Sequence, residues 1–354
     1  MLRLKIAVVA VALLAIPVVY QLAPDGSSEE GLPEGIPANI RQDIGQLRSR
    51  RAARRCDAAF RLGREQSRAA VAVPYLVALL SDDADGMAWT ERVLGQANPL
   101  AGGHRPVWSC ASTALWQIGP QAVNGLKAAL GSPNPAVRVR ATGALNQIPG
   151  PAGTEALAPV LKDSDARVRA AALVGVVQSG GEQAAELLTL AMRDPASEVR
   201  EQALALVRKE HGARVVDAMI ACLDDPEPRV RQLALDRLGF LKDPRTASIF
   251  FERTRDPDPQ TRATALATLA DMNDPRSPGL LLSGLKDPSF LVRNFAISRL
   301  RIQKAPASIP PLIDALNDPD PYVRSNAAGA LAAITGQSFG QDAPRWRQWL
   351  KGQR

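Results

Sequence analysis

Apolar residues along this chain fall into short helical stripes that return with a fixed period. Val323, Ala327, Ala330, Leu331 and Ile334 lie at i, i+4, i+7, i+8 and i+11, which places them on one face of a helix. A shorter stripe precedes it: Ile309, Leu312, Ile313 and Leu316. An Asp-Pro turn joins the two, so each repeat is predicted to be a helical hairpin. The period is marked by Arg138, Arg169, Arg200, Arg231, Arg262, Arg293 and Arg324, each 31 residues after the last. Six residues before the last six of these stand Asp163, Asp194, Asp225, Asp256, Asp287 and Asp318, five of them followed by proline. Three residues after the arginines stand Ala141, Ala172, Ala203, Ala234, Ala265, Ala296 and Ala327.

Local signals set the ends of the first helix of each hairpin. Asn134-Pro135, Glu227-Pro228, Asp258-Pro259 and Asp320-Pro321 place a capping side chain before a proline that fits the first helical position. Gly63, Gly119, Gly180, Gly239 and Gly336 are expected to supply the left-handed residue that stops it. The recurrent alanine lets neighbouring hairpins approach closely, where Leu or Val would push them apart. One hairpin cannot bury its apolar face, so stability must come from stacking neighbours.

The 31-residue unit with Asp-Pro, Val-Arg and Ala resembles the bacterial HEAT-like repeats, including those related to phycobilisome lyases, over roughly residues 50 to 334. The resemblance implies an all-α fold, a right-handed α-solenoid of stacked hairpins, with the Asp and Arg forming a ladder along the turns. It says little about function, because such stacks serve many partners.

Two degenerate copies precede the regular ones. Val107, Trp108, Ala111, Leu115 and Ile118 match the template with Trp108 in the arginine slot, and Arg55, Ala58 and Leu62 form an earlier match. Their markers are 53 residues apart, one period plus 22, so an insertion lies near 81–106. It holds Trp89, Gly102, Gly103 and His104 and matches no phosphate or metal motif. It is either a partner-binding loop, with Trp89 and His104 as its candidate contacts, or a disordered insertion. Segment 335–354 carries Trp346 and Trp349 on one helical face, as a cap on the last repeat or as an aromatic docking site. The expected organisation is thus 1–23, 24–38, a repeat body over 39–334 and the closing segment 335–354.

Residues 1–23 read as a signal or anchor helix: Arg3 and Lys5, then fifteen uncharged residues from Ile6 to Tyr20. Extended to Ala23, the run of eighteen covers about 27 Å, near the hydrocarbon thickness. Gln21 and Pro24 flank Ala23 poorly for cleavage, which favours a retained anchor over a cleaved signal. Asp25, Glu29, Glu30 and Glu34 follow it, so the expected place is a bacterial inner membrane with the repeat body in the periplasm, or secreted or periplasmic if the signal is cleaved. Residues 24–38 have too little apolar content to fold and look like a flexible linker.

Composition and charge refine this picture. Apolar residues make up 46% of the 354 and aromatics 4%, which calls for a core of Ala, Leu and Val. Of the net charge of +7, a surplus of six sits in one run: nine arginines between Arg41 and Arg68 against Asp43, Asp57 and Glu65. That run is a solvated face, or a contact for anionic lipid or an acidic partner.

No catalytic, cofactor or metal motif emerges. His104 and His211 stand alone, which separates the chain from the HEAT-repeat hydroxylases and their His-Glu pairs. No nucleotide loop, nucleophile elbow or suggestive Cys-His spacing is present. The second helices are mixed or neutral in charge, which argues against nucleic acid. Cys56 and Cys110 stand just past their markers in successive repeats, as a disulfide or as two buried thiols; Cys222 reads as core. The expected function is a non-catalytic scaffold, membrane-anchored or exported, that binds another protein in its concave groove. The alternative is a lyase-related enzyme or accessory holding a small substrate there.

Overall fold

The computed structural model describes residues 32–84, 105–180 and 183–353, and the regular elements there are helices. Two compact bodies divide the chain, Met1–Ala184 and Ala185–Arg354. In the first, α1 (Ala38–Gln46) leads into hairpins formed by α2 (Ala52–Arg64) and α3 (Val73–Ala78), α4 (Val107–Ile118) and α5 (Val123–Ala129), and α6 (Pro135–Gln147) and α7 (Pro151–Leu157), followed by α8 (Ala166–Gln178). In the second, α9 (Ala184–Ala191) precedes α10 (Ser197–Ala205) with α11 (Val216–Ala221), α12 (Pro228–Leu241) with α13 (Ala247–Arg253), α14 (Pro259–Asp271) with α15 (Ser277–Gly284), α16 (Phe290–Gln303) with α17 (Ile309–Asp314), and α18 (Pro321–Thr335) with α19 (Ala343–Lys351).

The capping chemistry follows side-chain length. Asn134 accepts from Ala136 N–H, Asp258 from Thr261 N–H, and Asp320 from both Tyr322 and Val323 N–H. Glu227, one methylene longer, makes no such bond. The stop signals follow the expectation at three of five positions: Gly119, Gly180 and Gly336 have positive φ. Gly63 and Gly239 instead lie inside α2 and α12, and the left-handed residues after those helices are Gln66 and Lys242. Their glycines serve helix contact. A Cβ on Gly63 would lie 2.9 Å from Ala114 Cα, and one on Gly239 2.7 Å from Thr268 Oγ1. Asn273 and Lys304 take the same left-handed place in the next two hairpins.

The recurrent alanines are fully buried, from Ala111 and Ala141 through Ala296 and Ala327. Between hairpins the aspartates and arginines form the ladder. Arg138 Nε and Nη2 donate to both oxygens of Asp163 at 2.8 and 2.7 Å, while its Nη1 donates to Ser132 O at 2.9 Å. The same fork joins Arg55 to Asp82, Arg200 to Asp225, Arg262 to Asp287 and Arg293 to Asp318. Each guanidinium therefore closes its own turn through Nη1 and grips the next turn through Nε and Nη2. Hydrogen bonds from Arg138 hold the Asp163 carboxyl below its usual range. Burial opposes ionisation of Asp225, Asp287 and Asp318, but the arginine and backbone donors outweigh it and these too are lowered.

Where the pattern breaks, the structure substitutes or omits a rung. Trp108 stands in an arginine slot, and the aspartate slot it would reach holds Ser132. Arg140 takes over, with its guanidinium 4.6 Å over the Trp108 ring, Nη1 donating to Leu80 O at 2.7 Å and Nη2 on Asp83. Asp256 is taken by Arg253 at 3.0 Å, leaving Arg231 with only its two turn carbonyls, Asp225 O and Pro226 O.

The insertion can now be placed. Arg55 reaches Asp82 across 27 residues, against 25 in the other four rungs, so two of the extra residues lie within the first hairpin. The rest follow Asp82, and Trp108 N–H to Asp82 O and Val107 N–H to Ala84 O close its base at 3.0 and 2.9 Å. Trp89 and His104 lie outside the described residues, as do the apolar run 1–23 and most of the linker.

The membrane placement expected from the sequence requires correction. Among the described residues no helix is long and apolar enough to cross a membrane. The longest, α18, has 15 residues, about 22 Å at 1.5 Å per residue, and carries Arg324, Ser325 and Asn326 in its first two turns. Inner-membrane anchoring with a periplasmic body is not supported.

Candidate functional site

Two clefts lie along the second helices of the hairpins. One, of about 510 Å3, lies between α5 and the α7 segment and is lined by Lys127, Leu130, Gly131, Glu155, Ala156, Pro159, Val160, Lys162 and Asp163. The other, of about 270 Å3, lies between α15 and α17, with Leu285, Lys286, Pro311, Asp314, Ala315, Asn317 and Asp318 on its walls. Every one of these seven is 155 positions after a lining residue of the first, which is five periods of 31. The clefts are therefore one feature of the repeat, a groove between consecutive second helices ending at the ladder aspartate. Its apolar lining is Leu130, Ala156 and Val160 in one cleft and Leu285 and Ala315 in the other. Its rim is charged: Lys127, Glu155, Lys162 and Lys286 are all exposed.

A second line of contacts runs along the other end of the hairpins, and the sequence reading missed it. Asp243 accepts from the Arg245 N–H and guanidinium, and Arg245 Nη2 reaches back to Ala213 O at 3.1 Å. Asp274 and Arg276 repeat this, with Arg276 Nη2 on Ala247 O at 3.3 Å and its guanidinium 4.3 Å over Phe251. The Arg276 hydrogen bonds hold Asp274 at about 2. The signal was present as Asp-Pro-Arg at 243–245 and 274–276, one period apart.

Several predicted residues now have places. Cys56 and Cys110 meet between α2 and α4 with Cα atoms 5.3 Å apart, both buried and with their sulfurs joined. Cys222 is buried, its thiol pushed up to about 11 by burial. His211 accepts the Arg208 N–H on Nδ1 at 2.9 Å, and burial lowers its pKa. Trp346 is fully buried against Phe339 and Trp349 and donates to Gly340 O at 2.9 Å. The Arg41 to Arg68 run is partly spent within the body: Arg55 on Asp82, Arg61 on Asp43, Arg68 on Glu65, and Arg48 over Tyr75. Among the described residues no group of three or more His, Cys, Asp or Glu could hold a metal ion.

Comparison with known proteins bears on the fold. The family described as HEAT repeats matches residues 123–208, 185–256, 216–301 and 278–344. The X-ray structure of YibA of E. coli is similar over 68% of this chain and 91% of its own, at 20% identity and a TM-score of 0.51. An engineered protein matches over 84% of this chain and 99% of its own, at 18% identity and a TM-score of 0.40. Kap121p matches over 84% of this chain and 41% of its own, at 12% identity and a TM-score of 0.48. At 20% identity the likeness to YibA bears on the fold alone. No curated protein matches the chain.

Proposed function

Because this chain belongs to the HEAT-repeat family, we propose that it works as a non-catalytic scaffold that holds a segment of another protein along its second helices. In this reading the hairpins of each body wind as a right-handed α-solenoid. Folds of this family usually serve binding rather than catalysis. The observation that carries the proposal is the recurrence of one groove, in the same register, five periods apart. A groove set by the repeat is preformed in each body: rungs and buried alanines already fix it, so binding a segment of another protein orders little of the scaffold. The walls suit such a guest: an apolar floor for side chains and an exposed rim of both signs, Lys127, Lys162 and Lys286 with Glu155 and Asp314, for its polar groups.

The test is site-specific photo-crosslinking in the source cells. A photoreactive residue replaces Pro159 or Asp314 in the groove, or Asp236 on an exposed first-helix position as the control. The proposal expects one protein captured from both groove positions and not from the control. Equal capture at all three positions, or none from the groove, would refute it.

A further inference from the structure

The ladder that joins the hairpins ends in an arginine whose fork is empty. The fork of Arg231 is unpaired too, but inside the array, where the next turn with Asp256 already takes the place of a partner. Arg324 Nη1 donates to Asp318 O at 2.7 Å and Pro319 O at 3.1 Å. Arg293 Nη1 makes the same two bonds one repeat earlier, to Asp287 O at 2.9 Å and Pro288 O at 3.0 Å. The Arg324 guanidinium is therefore held by the same anchor as the arginines whose Nε and Nη2 grip an aspartate. At Arg293 that aspartate is Asp318, at 2.7 and 2.8 Å. At Arg324 the position 25 residues on is Trp349, and among the described residues nothing accepts from its Nε or Nη2. The side chain remains partly exposed. A planar fork pre-oriented in this way matches a carboxylate with two parallel hydrogen bonds.

The internal rungs also define what the fork accepts. Each aspartate it takes is part of a turn: Asp225 accepts from Glu227 N–H, Asp287 from Ser289 N–H and Asp318 from Asp320 N–H, at 2.8 to 2.9 Å. A second copy of this chain does not supply that group by stacking end to end. At the first hairpin the aspartate slot is Ser49, which offers Arg55 its carbonyl and has no carboxylate.

We propose that Arg324 is a docking site for an aspartate-bearing turn of a different protein, which completes the ladder by occupying the place of a next repeat. The proposal rests on the scaffold reading and adds the chemistry of one contact, at the carboxy-terminal edge rather than in the groove.

The probe is a cyclic peptide carrying Lys-Asp-Pro-Ser-Phe, the turn at 286–290 that Arg262 grips in this chain. It is titrated into the full chain while the arginine Nε–H resonances are followed by NMR. Loss of one resonance in Arg324→Gln identifies the Arg324 signal. A single fork supports a dissociation constant on the order of 1 mM. The expected result is a saturable shift of the Arg324 resonance, at least ten-fold weaker with the Asp→Asn peptide, and no shift at Arg262 or Arg293. No saturation by about 10 mM, or equal response to the Asn peptide, overturns the proposal. Arg324→Lys guards against misfolding of the Gln variant, since it keeps the charge while losing the fork, and it should lose the same selectivity. The outcome is independent of the crosslinking from the groove, so failure of either reading is recognised separately.

Discussion

The rungs are not equivalent, and Arg231 and Arg262 make the difference measurable. Arg262→Ala removes two bonds to Asp287, at 2.9 and 2.7 Å, and two to the carbonyls of Asp256 and Pro257. Arginine and aspartate side chains are each 13% exposed, so the variant leaves a nearly buried carboxylate without its cation. Breaking a buried pair from one side costs about 3 to 5 kcal/mol; with this residual access to water the lower end, about 3 kcal/mol, is expected. Arg231→Ala removes only the two carbonyl bonds, at 2.7 and 3.0 Å, and strands no carboxylate, because Asp256 stays with Arg253 and the Asp258 N–H. Its expected cost is about 1 kcal/mol. Urea unfolding followed by circular dichroism should separate the variants by about 2 kcal/mol. In the double variant Arg262→Ala, Asp287→Ala, the loss should be smaller than the sum of the singles, since the stranded charge is gone. If Arg231→Ala and Arg262→Ala agree to within about 0.5 kcal/mol, the rung is a surface pair of little consequence and the reasoning fails.

Other consequences follow from single contacts. Lys304 is exposed with φ of 48°, so Lys304→Gly removes a left-handed strain of about 1 to 2 kcal/mol and adds about 0.5 to 1 of backbone entropy; the thermal midpoint should rise. Gly63→Ala should lower it by contrast. The new Cβ meets the Ala114 backbone at 2.9 Å, and overpacking of about 1 to 3 kcal/mol exceeds the helix-propensity gain of about 1, which urea unfolding would register. His211 is buried with its pKa lowered below 6.5, so the unfolded chain takes up the proton first. Stability should fall as pH drops below 6.5, and His211→Gln should flatten that slope in pH-dependent urea titrations. The ladder aspartates act lower. Their folded pKa values lie below 3.8, so their contribution is present above that pH and is lost as pH falls through the lowered values, visible as acid unfolding that Asp287→Asn blunts.

The absent rung at Arg231 has a cause written in the sequence at one position. Arg253 occupies a slot that holds Val160, Ala191, Cys222, Gly284 and Ala315 in the other repeats. Val160, Cys222, Gly284 and Ala315 leave the ladder aspartate three positions on to its arginine; Arg253 competes for it. Nothing in a regular search for Asp and Arg would flag this, because both markers are in place.

What the sequence determined by itself was the repeating element. The 31-residue interval, the helical stripes, the buried alanine and the Asp and Arg markers express a local geometry that every copy must satisfy, so repetition makes it legible. Tertiary structure decided what depends on distance between copies. Gly63 and Gly239 look like helix stops in one dimension and are contact glycines in three, because the neighbouring helix approaches within a Cβ diameter. The groove lies between two successive second helices, neither of which forms a cleft alone. The meeting of Cys56 with Cys110, the replacement of one rung by Arg140 on Trp108, and the empty fork of Arg324 likewise depend on which side chains the stacking brings within hydrogen-bond reach. Spacing along the chain restricts those partnerships, and packing selects among them.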